Sequence, residues 1–326
     1  MREGRRLALR ALGAAVLAPL PALAQRRKRV VVVHFEDPKG WGRFVDELRR
    51  ALAQLGFTDG RDIEIRAEGI VVTGAKPGPE SVAQQIGRQV LPLEPDVIVT
   101  TGAIMSYVMS LAIRTVPVVV HAPDPVAAGF ARSVARPGGN FTGLSDGFDE
   151  TAPKSVEILR RLLPKAMRVA VLHEPRPVST KVAAYYERAA RDVGLEPVMI
   201  SSTNRDELLA ALRALPARRI DAAIWIAFGH PRKVAEAALA ARVPVVGADH
   251  EATRMGWLAS YAGYEPDPVP KLARAVAQIL RGAHPGDIPF QLPQQFRLAI
   301  NRSTAAALGI AIPADILVRA DMVFDG

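Results

Sequence analysis

Cysteine is absent from the 326 residues of this chain, and its absence excludes several classes of site. Without cysteine there is no disulfide, no thiolate ligand for a metal, no cysteine nucleophile and no lipid anchor on a cysteine. Such a chain also tolerates an oxidising compartment without risk to free thiols. Histidine is scarce as well, and none of the six histidines has the spacing of a metal-binding motif. We therefore predict no metal site.

Long apolar segments are missing beyond the first 24 residues, so no later segment is predicted to cross a membrane. The beginning of the chain has the pattern of an export signal: arginines including Arg5-Arg6, an apolar run over 12–20, and the cleavable pattern Ala22-Leu23-Ala24. We predict that residues 1–24 are a signal peptide cut before Gln25. The protein is then periplasmic, exported by the Sec route or by the twin-arginine route. Because no ATP or NAD is supplied there, we expect no cofactor.

An excess of basic residues gives the chain a formal net charge of +9, and the run Arg26–Arg29 directly follows the predicted cleavage site. A basic run can bind nucleic acid or an anionic surface. The rest of the chain, however, has no basic stretch interleaved with aromatic residues, and a solvated tail accounts for this run. We therefore predict no nucleic-acid partner. The hydrophobic content of 49% and charged content of 23% are those of an ordinary soluble globular protein.

Short β-branched runs alternate with segments of helical period from residue 29 onward. The alternation stops at the turn-rich stretch Arg136–Asn140 and then begins again. This pattern predicts an α/β fold with two doubly wound parallel-sheet lobes, a hinge, and a cleft between the lobes. We predict strands at 30–34, 63–65, 96–100, 116–121, 168–172, 195–200, 221–226 and 243–246, and helices at 41–55, 81–91, 103–113, 151–163, 181–193, 205–215, 231–241 and 269–280. The rest of the C-terminal part is expected to be a polar tail.

Several sequence blocks occur in a characteristic order. They are Asp96–Gly102, Val116–Gly129 with its Asp-Pro-Val segment, Ala135–Gly143, and Leu298–Gly309 followed by Pro313–Asp321. In these blocks the chain resembles the ABC transporter substrate-binding proteins of the tryptophan-binding type, and the resemblance runs from about residue 30 to the C-terminus. It implies a type I periplasmic-binding fold that closes on a small solute and delivers it to a membrane permease.

The same resemblance implies that the chain crosses between the lobes near Gly143 and again near Tyr261. We therefore predict one lobe from 25–143 with about 262–290, and a second lobe from 144–261 with about 291–326. Three segments near the cleft depart from the family pattern: 69–79, 249–251 and 261–264. Because these departures lie near the cleft, the identity of the solute is left open.

Ligands of open parallel sheets bind beyond the carboxyl ends of the strands, and the candidate site residues come from these positions. The candidate ligand-binding residues are Phe35, Thr101, Gly102, Asp124, Thr142, Glu174, Phe228, Asp249 and Tyr261.

Each class of candidate also has a structural explanation. The helix that follows Thr101 and Gly102 starts with unpaired N–H groups that suit a carboxylate, although threonine is also an ordinary helix cap. Asp124 could pair with a ligand ammonium or fold into an Asx-turn before proline, and Asp249 has the same two explanations. Phe228 and Tyr261 follow strand ends, where an aromatic ring could stack on a ligand.

The predicted function is the solute-binding component of an ABC importer that captures a small solute, with an amine-bearing compound such as an amino acid favoured by the acidic candidates. We expect a monomer without catalytic residues whose partner is an ABC permease in the inner membrane. One alternative is a sensor that presents its ligand to a membrane receptor. A second is a secreted serine hydrolase, because the segment Gly143–Gly147 matches a nucleophile elbow around Ser145. The short apolar run before this segment disfavours the hydrolase, and a hinge between lobes explains the glycines.

Overall fold

The structure is a computed structural model that describes residues 26–35, 38–73, 78–227 and 230–325. The predicted export signal and the candidate Phe228 lie outside the described residues. The elements in chain order are β1 (Lys28–Phe35), α1 (Pro38–Gln54), β2 (Ile63–Ile70), α2 (Pro79–Val90), β3 (Val97–Thr101), α3 (Ala103–Ala112), β4 (Val118–Ala122), β5 (Phe141–Ser145), α4 (Phe148–Leu162), β6 (Arg168–His173), α5 (Pro177–Asp192), β7 (Glu196–Ser201), α6 (Arg205–Ala214), β8 (Ala222–Trp225), α7 (Pro231–Ala240), β9 (Val245–Gly247), α8 (His250–Arg254), β10 (Ala259–Tyr264), α9 (Val269–Leu280), β11 (Gln295–Asn301), α10 (Arg302–Leu308), α11 (Ala314–Arg319) and β12 (Met322–Phe324).

Two sheets organise the described residues. The first has the strand order β2-β1-β3-β4-β5, and all of its pairs are parallel. The second has the order β12-β11-β10-β9-β8-β6-β7, and it is parallel except where β11 runs antiparallel to β10. The apolar run of β1, Val30–Val33, is fully buried, as expected for a central strand covered on both faces. The predicted fold class, two α/β lobes with parallel sheets, is confirmed.

Helices cover both faces of each sheet. The first sheet packs α1 and α9 on one face and α2 and α3 on the other. The second sheet packs α4 and α5 on one face and α6 and α7 on the other. The helix α9 lies between two strands of the second sheet in the sequence, yet its residues pack on the first sheet and against α1. The chain thus passes to the second sheet after Ser145, returns to the first after Tyr264, and joins the second again before Gln295.

The strand β5 overlaps the segment Gly143–Gly147, whose glycines the sequence predicts to form a hinge. Gly143 has φ +139° within this strand, and a Cβ atom there would lie 1.9 Å from the carbonyl oxygen of Val120 on β4. Close approach of two backbones, and not only freedom of rotation, therefore requires glycine at this position. The chain leaves the sheet two residues later, at Ser145.

The C-terminal part is more ordered than the expected polar tail, because it contains β11, β12, α10 and α11. The core face of β11 is buried, with Leu298 and Ile300 packed into the second lobe. Pairing with β10 positions this strand, and that long-range contact has no local sequence signal. No helix in the described ranges combines the length and the apolar character needed to cross a bilayer.

Candidate ligand-binding cleft

Asp124 follows β4 at the carboxyl edge of the first sheet and is only 4% exposed. Its Oδ1 accepts hydrogen bonds from the backbone N–H groups of Val126 (3.0 Å) and Ala127 (2.8 Å), so the Asx-turn predicted as one explanation is present. Its Oδ2 is buried and has no hydrogen-bond partner among the described residues. A buried acceptor without a partner is costly, and a charged donor at Oδ2 would remove that cost. One carboxylate thus shapes its own turn and has a second oxygen without a hydrogen bond inside the described residues.

A tyrosine from the second lobe lies beside this carboxylate. Tyr185 is half-buried on α5, and burial, followed by the negative charge of Asp124, raises the pKa of Tyr185 to about 12. The hydroxyl lies near Asp124, although no hydrogen bond of ordinary geometry joins them. Ala128, four residues after Asp124, packs against the core of the second lobe. The segment 124–128 therefore contacts both lobes.

The start of α3 adjoins the same edge of the first sheet. The backbone N–H of Gly102 donates to the carbonyl of His121 (3.0 Å), which holds the start of α3 next to the end of β4. No side chain among the described residues caps α3, so its first-turn N–H groups are available to a ligand. Thr101 is half-buried and Gly102 is exposed at this point. The structure therefore brings Thr101, Gly102 and Asp124 to one edge.

A small cavity lies where the chain crosses to the second lobe. Asp146, directly after β5, accepts at its Oδ1 from Nε2 of His121 at 2.8 Å if that nitrogen is protonated. The cavity is about 130 Å³ in volume. Its walls are Asp146, Phe148, Thr151, Ala248, Ala262 and Gly263. Its lining residues come from the crossover, from the first turn of α4, and from the ends of β9 and β10.

Glu174, at the carboxyl end of β6, is 2% exposed and already has two cationic neighbours. Nε of Arg205 donates to its Oε1 at 3.0 Å, and Nε of Arg176 lies 2.9 Å from its Oε2. The second contact is an ion pair without the angle of a hydrogen bond. Because the chain itself supplies two positive charges here, an ammonium ligand would meet a net positive cluster. Contact between Glu174 and the solute stays a prediction, and the geometry disfavours Glu174 as the partner of an ammonium group.

The other candidates lie in different settings. The hydroxyl of Thr142 is fully buried and donates to the carbonyl of Ile288 (2.7 Å), so it has no surface through which to contact a solute. Asp249 is exposed and caps α8 through a hydrogen bond from the N–H of Ala252 (3.0 Å). Two aromatic candidates have half-buried side chains that pack against a hydrophobic core. Tyr261 packs against the core of the second lobe, and Phe35 packs against the core of the first.

Sequence reasoning missed four residues that the structure places at these edges: Asp146, Arg176, Tyr185 and Arg205. Asp146 had a usable signal, because it directly follows a strand, but β5 was not predicted. Arg176 and Arg205 each precede or open a helix after a strand of the second sheet, which places them at its carboxyl edge. Nothing local distinguishes Tyr185 from the other polar residues on its helix.

Ser145 does not have the surroundings of a nucleophile. It is 3% exposed, its Oγ donates to the carbonyl of Pro123 (3.4 Å), and it accepts from the N–H of Gly147 (3.3 Å). No histidine in the described part of the chain forms a hydrogen bond with it, so the general base of an elbow serine is missing. Within the same described ranges, no group of three potential ligands could hold a metal ion.

Comparison with known proteins places the chain among solute-binding proteins. It is 24% identical over 266 residues to the "Tyrosine-binding protein" of Clostridioides difficile (strain R20291), covering 79% of this chain and 74% of the relative. The ABC domain of Streptococcus pneumoniae in complex with L-Trp superposes with a TM-score of 0.76 at 22% identity, covering 91% of this chain and 100% of that one. A conserved domain protein from Vibrio cholerae superposes with a TM-score of 0.74 at 26% identity, covering 91% of this chain and 99% of that one. The sequence profile of the family described as "ABC transporter substrate binding protein" matches residues 30–324. This chain therefore belongs to the ABC transporter substrate-binding protein family, a family of solute-binding proteins.

Proposed function

We propose that this protein is the periplasmic solute-binding component of an ABC importer and that its solute is an amino acid with an aromatic side chain. The family supports the transport role, and the tyrosine-binding relative and the L-Trp-bound structure support the class of solute. The protein acts by binding alone, as a monomer, and its partner is the permease in the inner membrane. Contacts made by both lobes favour the closed state, so the solute shifts an open–closed equilibrium.

The observation that carries this proposal is the buried Oδ2 of Asp124, which has no hydrogen-bond partner within the part of the chain that the structure describes. An amino acid has an ammonium group, and a charge-assisted hydrogen bond to a buried carboxylate contributes about 1.5–3 kcal/mol. Tyr185 of the second lobe lies beside this carboxylate, so an ammonium bound at Asp124 lies where the two lobes meet. The solute carboxylate has two candidate positions: the uncapped start of α3 in the first lobe and the arginine pair at Glu174 in the second.

Two substitutions of Asp124 separate its two roles. Asp124→Asn keeps an oxygen that can accept from the N–H groups of Val126 and Ala127 but removes the negative charge. We expect it to bind L-Trp or L-Tyr about 10- to 100-fold more weakly at nearly unchanged stability, from the 1.5–3 kcal/mol above and 1.4 kcal/mol per tenfold. Asp124→Ala also loses the turn and is expected to lower the unfolding temperature.

Isothermal titration calorimetry of the chain from residue 25 onward with L-Trp, L-Tyr and L-Phe measures both effects. Indole-3-propionate, which lacks the ammonium, serves as the matched ligand and should not distinguish Asp124→Asn from the wild type. If none of the three amino acids binds the wild type, the proposed class of solute is wrong. If the Asn variant binds them with wild-type affinity, Asp124 does not hold the ammonium.

A further inference from the structure

We propose that Arg176 and Arg205, held by Glu174, form with the adjoining cavity an oxyanion-binding site at the carboxyl edge of the second sheet. The site takes a carboxylate or a phosphate group carried by the solute. The inference rests on the proposed function only in assigning the anion to the solute.

Glu174 contacts the Nε atom of each of the two guanidinium groups. Its two oxygens lie 2.9 Å from Nε of Arg176 and 3.0 Å from Nε of Arg205. The outer Nη groups of both arginines make no hydrogen bond with any residue that the structure describes. The two side chains remain 39% and 34% exposed, whereas the glutamate side chain is 3% exposed. A buried carboxylate thus orients two planar donor groups toward solvent, and such groups match the geometry of an oxyanion.

The balance of charge favours an anion over a cation at this position. One negative charge faces two positive charges, so the cluster has a net positive charge even when every internal ion pair is made. Arg176 precedes α5 and Arg205 opens α6, so the positive ends of two helices lie nearby and add to the same sign.

The cavity beside Arg205 extends this positive surface. Its volume is about 240 Å³, and its walls include Asn204, Trp225, His230 and Lys233. Asp206 also lines this cavity with a negatively charged side chain, which is exposed to solvent. The space suits an oxyanion together with part of a small solute.

The start of α7 at this cavity has an unusual backbone. His230 has φ +55°, a left-handed conformation that is uncommon for histidine, and its side chain does not cap α7. Backbone strain of this kind occurs often at binding sites, where the surroundings hold a residue in place. Among the described residues no side chain caps α7, so the N–H groups of Arg232 and Lys233, which follow Pro231, have no capping partner there.

The two lobes thus present opposite charges. The first lobe presents Oδ2 of Asp124, which has no partner in the described ranges, and the second presents Arg176 and Arg205. A solute with both an ammonium and a carboxylate matches this pair of sites. Lobe closure would then be coupled to recognition of both groups.

Sulfate titration followed by thermal unfolding tests the site without knowledge of the solute. Ionic strength is held constant with chloride, and the variants are Arg176→Gln/Arg205→Gln and the control Arg191→Gln. Arg191 lies on the same helix α5, in an exposed ion pair with Glu187. We expect sulfate to raise the midpoint of the wild type and the control saturably by about 2–4 °C, and not to raise that of the double variant. An equal rise in all three proteins overturns the site.

Removal of both arginines leaves Glu174 charged and buried, so a triple variant that adds Glu174→Gln provides a second test. It removes the uncompensated charge, and near-UV circular dichroism checks its fold. If the folded triple variant responds to sulfate as the wild type does, the site is also overturned.

Calorimetry with L-Trp and L-tryptophanamide connects the site to the solute. We expect the triple variant to bind L-Trp at least about tenfold more weakly and to bind the amide, which lacks the carboxylate, with little change. If the wild type binds neither compound, the proposed solute class fails, and the sulfate titration still decides whether the oxyanion site exists. If the wild type and the triple variant bind L-Trp equally, the proposed function stands and the assignment of the anion to the solute is overturned.

Discussion

Two glycines with opposite surroundings allow a matched test of how tightly the first sheet is packed. Gly143 lies in β5 at φ +139°, and a Cβ there would lie 1.9 Å from the oxygen, 2.8 Å from the nitrogen and 2.9 Å from the carbonyl carbon of Val120. Gly87 lies in the interior of α2, and a Cβ there would meet nothing within 4 Å. The same substitution, glycine to alanine, should therefore act in opposite directions.

For Gly143→Ala the obstructing atoms are backbone, so β4 and β5 must separate. A residue held in a sparsely populated backbone region costs about 1–3 kcal/mol. Overpacking adds about 1–3 kcal/mol. We expect the free energy of unfolding to fall by about 4 kcal/mol, which lowers the unfolding midpoint by about 10 °C in a protein of this size. Gly87→Ala should instead gain about 0.5–1 kcal/mol, because alanine loses less backbone freedom in a helix.

Thermal unfolding followed by far-UV circular dichroism, with both variants measured beside the wild type, decides between these outcomes. A Gly143→Ala midpoint within 2 °C of the wild type would show that β4 and β5 are not held at the described separation. Equal losses in both variants would show that the effect arises from glycine replacement in general.

Two further predictions concern the pH dependence of stability. Burial raises the pKa of Tyr186 to about 12 from about 10 in the unfolded chain. The neutral tyrosine therefore stabilises the folded state fully below pH 10, and this contribution is lost as the pH rises toward 12. Tyr186→Phe should therefore lose less stability than the wild type between pH 8 and pH 11 in urea unfolding, and parallel losses would contradict this account. Burial lowers the pKa of His250, whose Nδ1 lies 3.0 Å from Oγ of Ser260. The neutral imidazole therefore stabilises the folded state above the ordinary histidine pKa, and this contribution is lost as the pH falls below that value. The free energy of unfolding of His250→Asn in urea should fall less between pH 7.5 and pH 5 than that of the wild type. An equal or larger fall would refute the assignment.

The regular part of the fold could be predicted because burial on both faces leaves a local pattern. Strands such as β1 are continuous apolar runs, and the helices beside them repeat their apolar residues every three or four positions. The strands β5, β10, β11 and β12 lack such runs. They lie at crossovers or are positioned by partners far along the chain, as β5 is by Gln291. Local propensity carries no information about those partners.

The candidate site was predicted in part for the same reason. Position after a strand selected Asp124 correctly as a residue of the sheet edge. Its Oδ1 forms the Asx-turn, and its pairing with an ammonium at Oδ2 stays a prediction. Glu174 was selected on the same grounds, but its pairing with Arg205 spans 31 positions and cannot be inferred from the sequence. The hydroxyl of Thr142 reaches a carbonyl 146 positions away. Such pairings decide whether a polar group is available to a solute.

The position of α9 determines how the molecule can be divided. Its residues Val269–Leu280 complete the core of the first lobe, although the strands of that lobe end at Ser145. The second lobe in turn needs β11 and β12, which follow α9 in the chain. During synthesis, neither lobe has its full set of core residues until the final quarter of the chain has emerged, so the two cores are completed almost together. A single cut in the sequence therefore cannot release either lobe as a unit that folds alone.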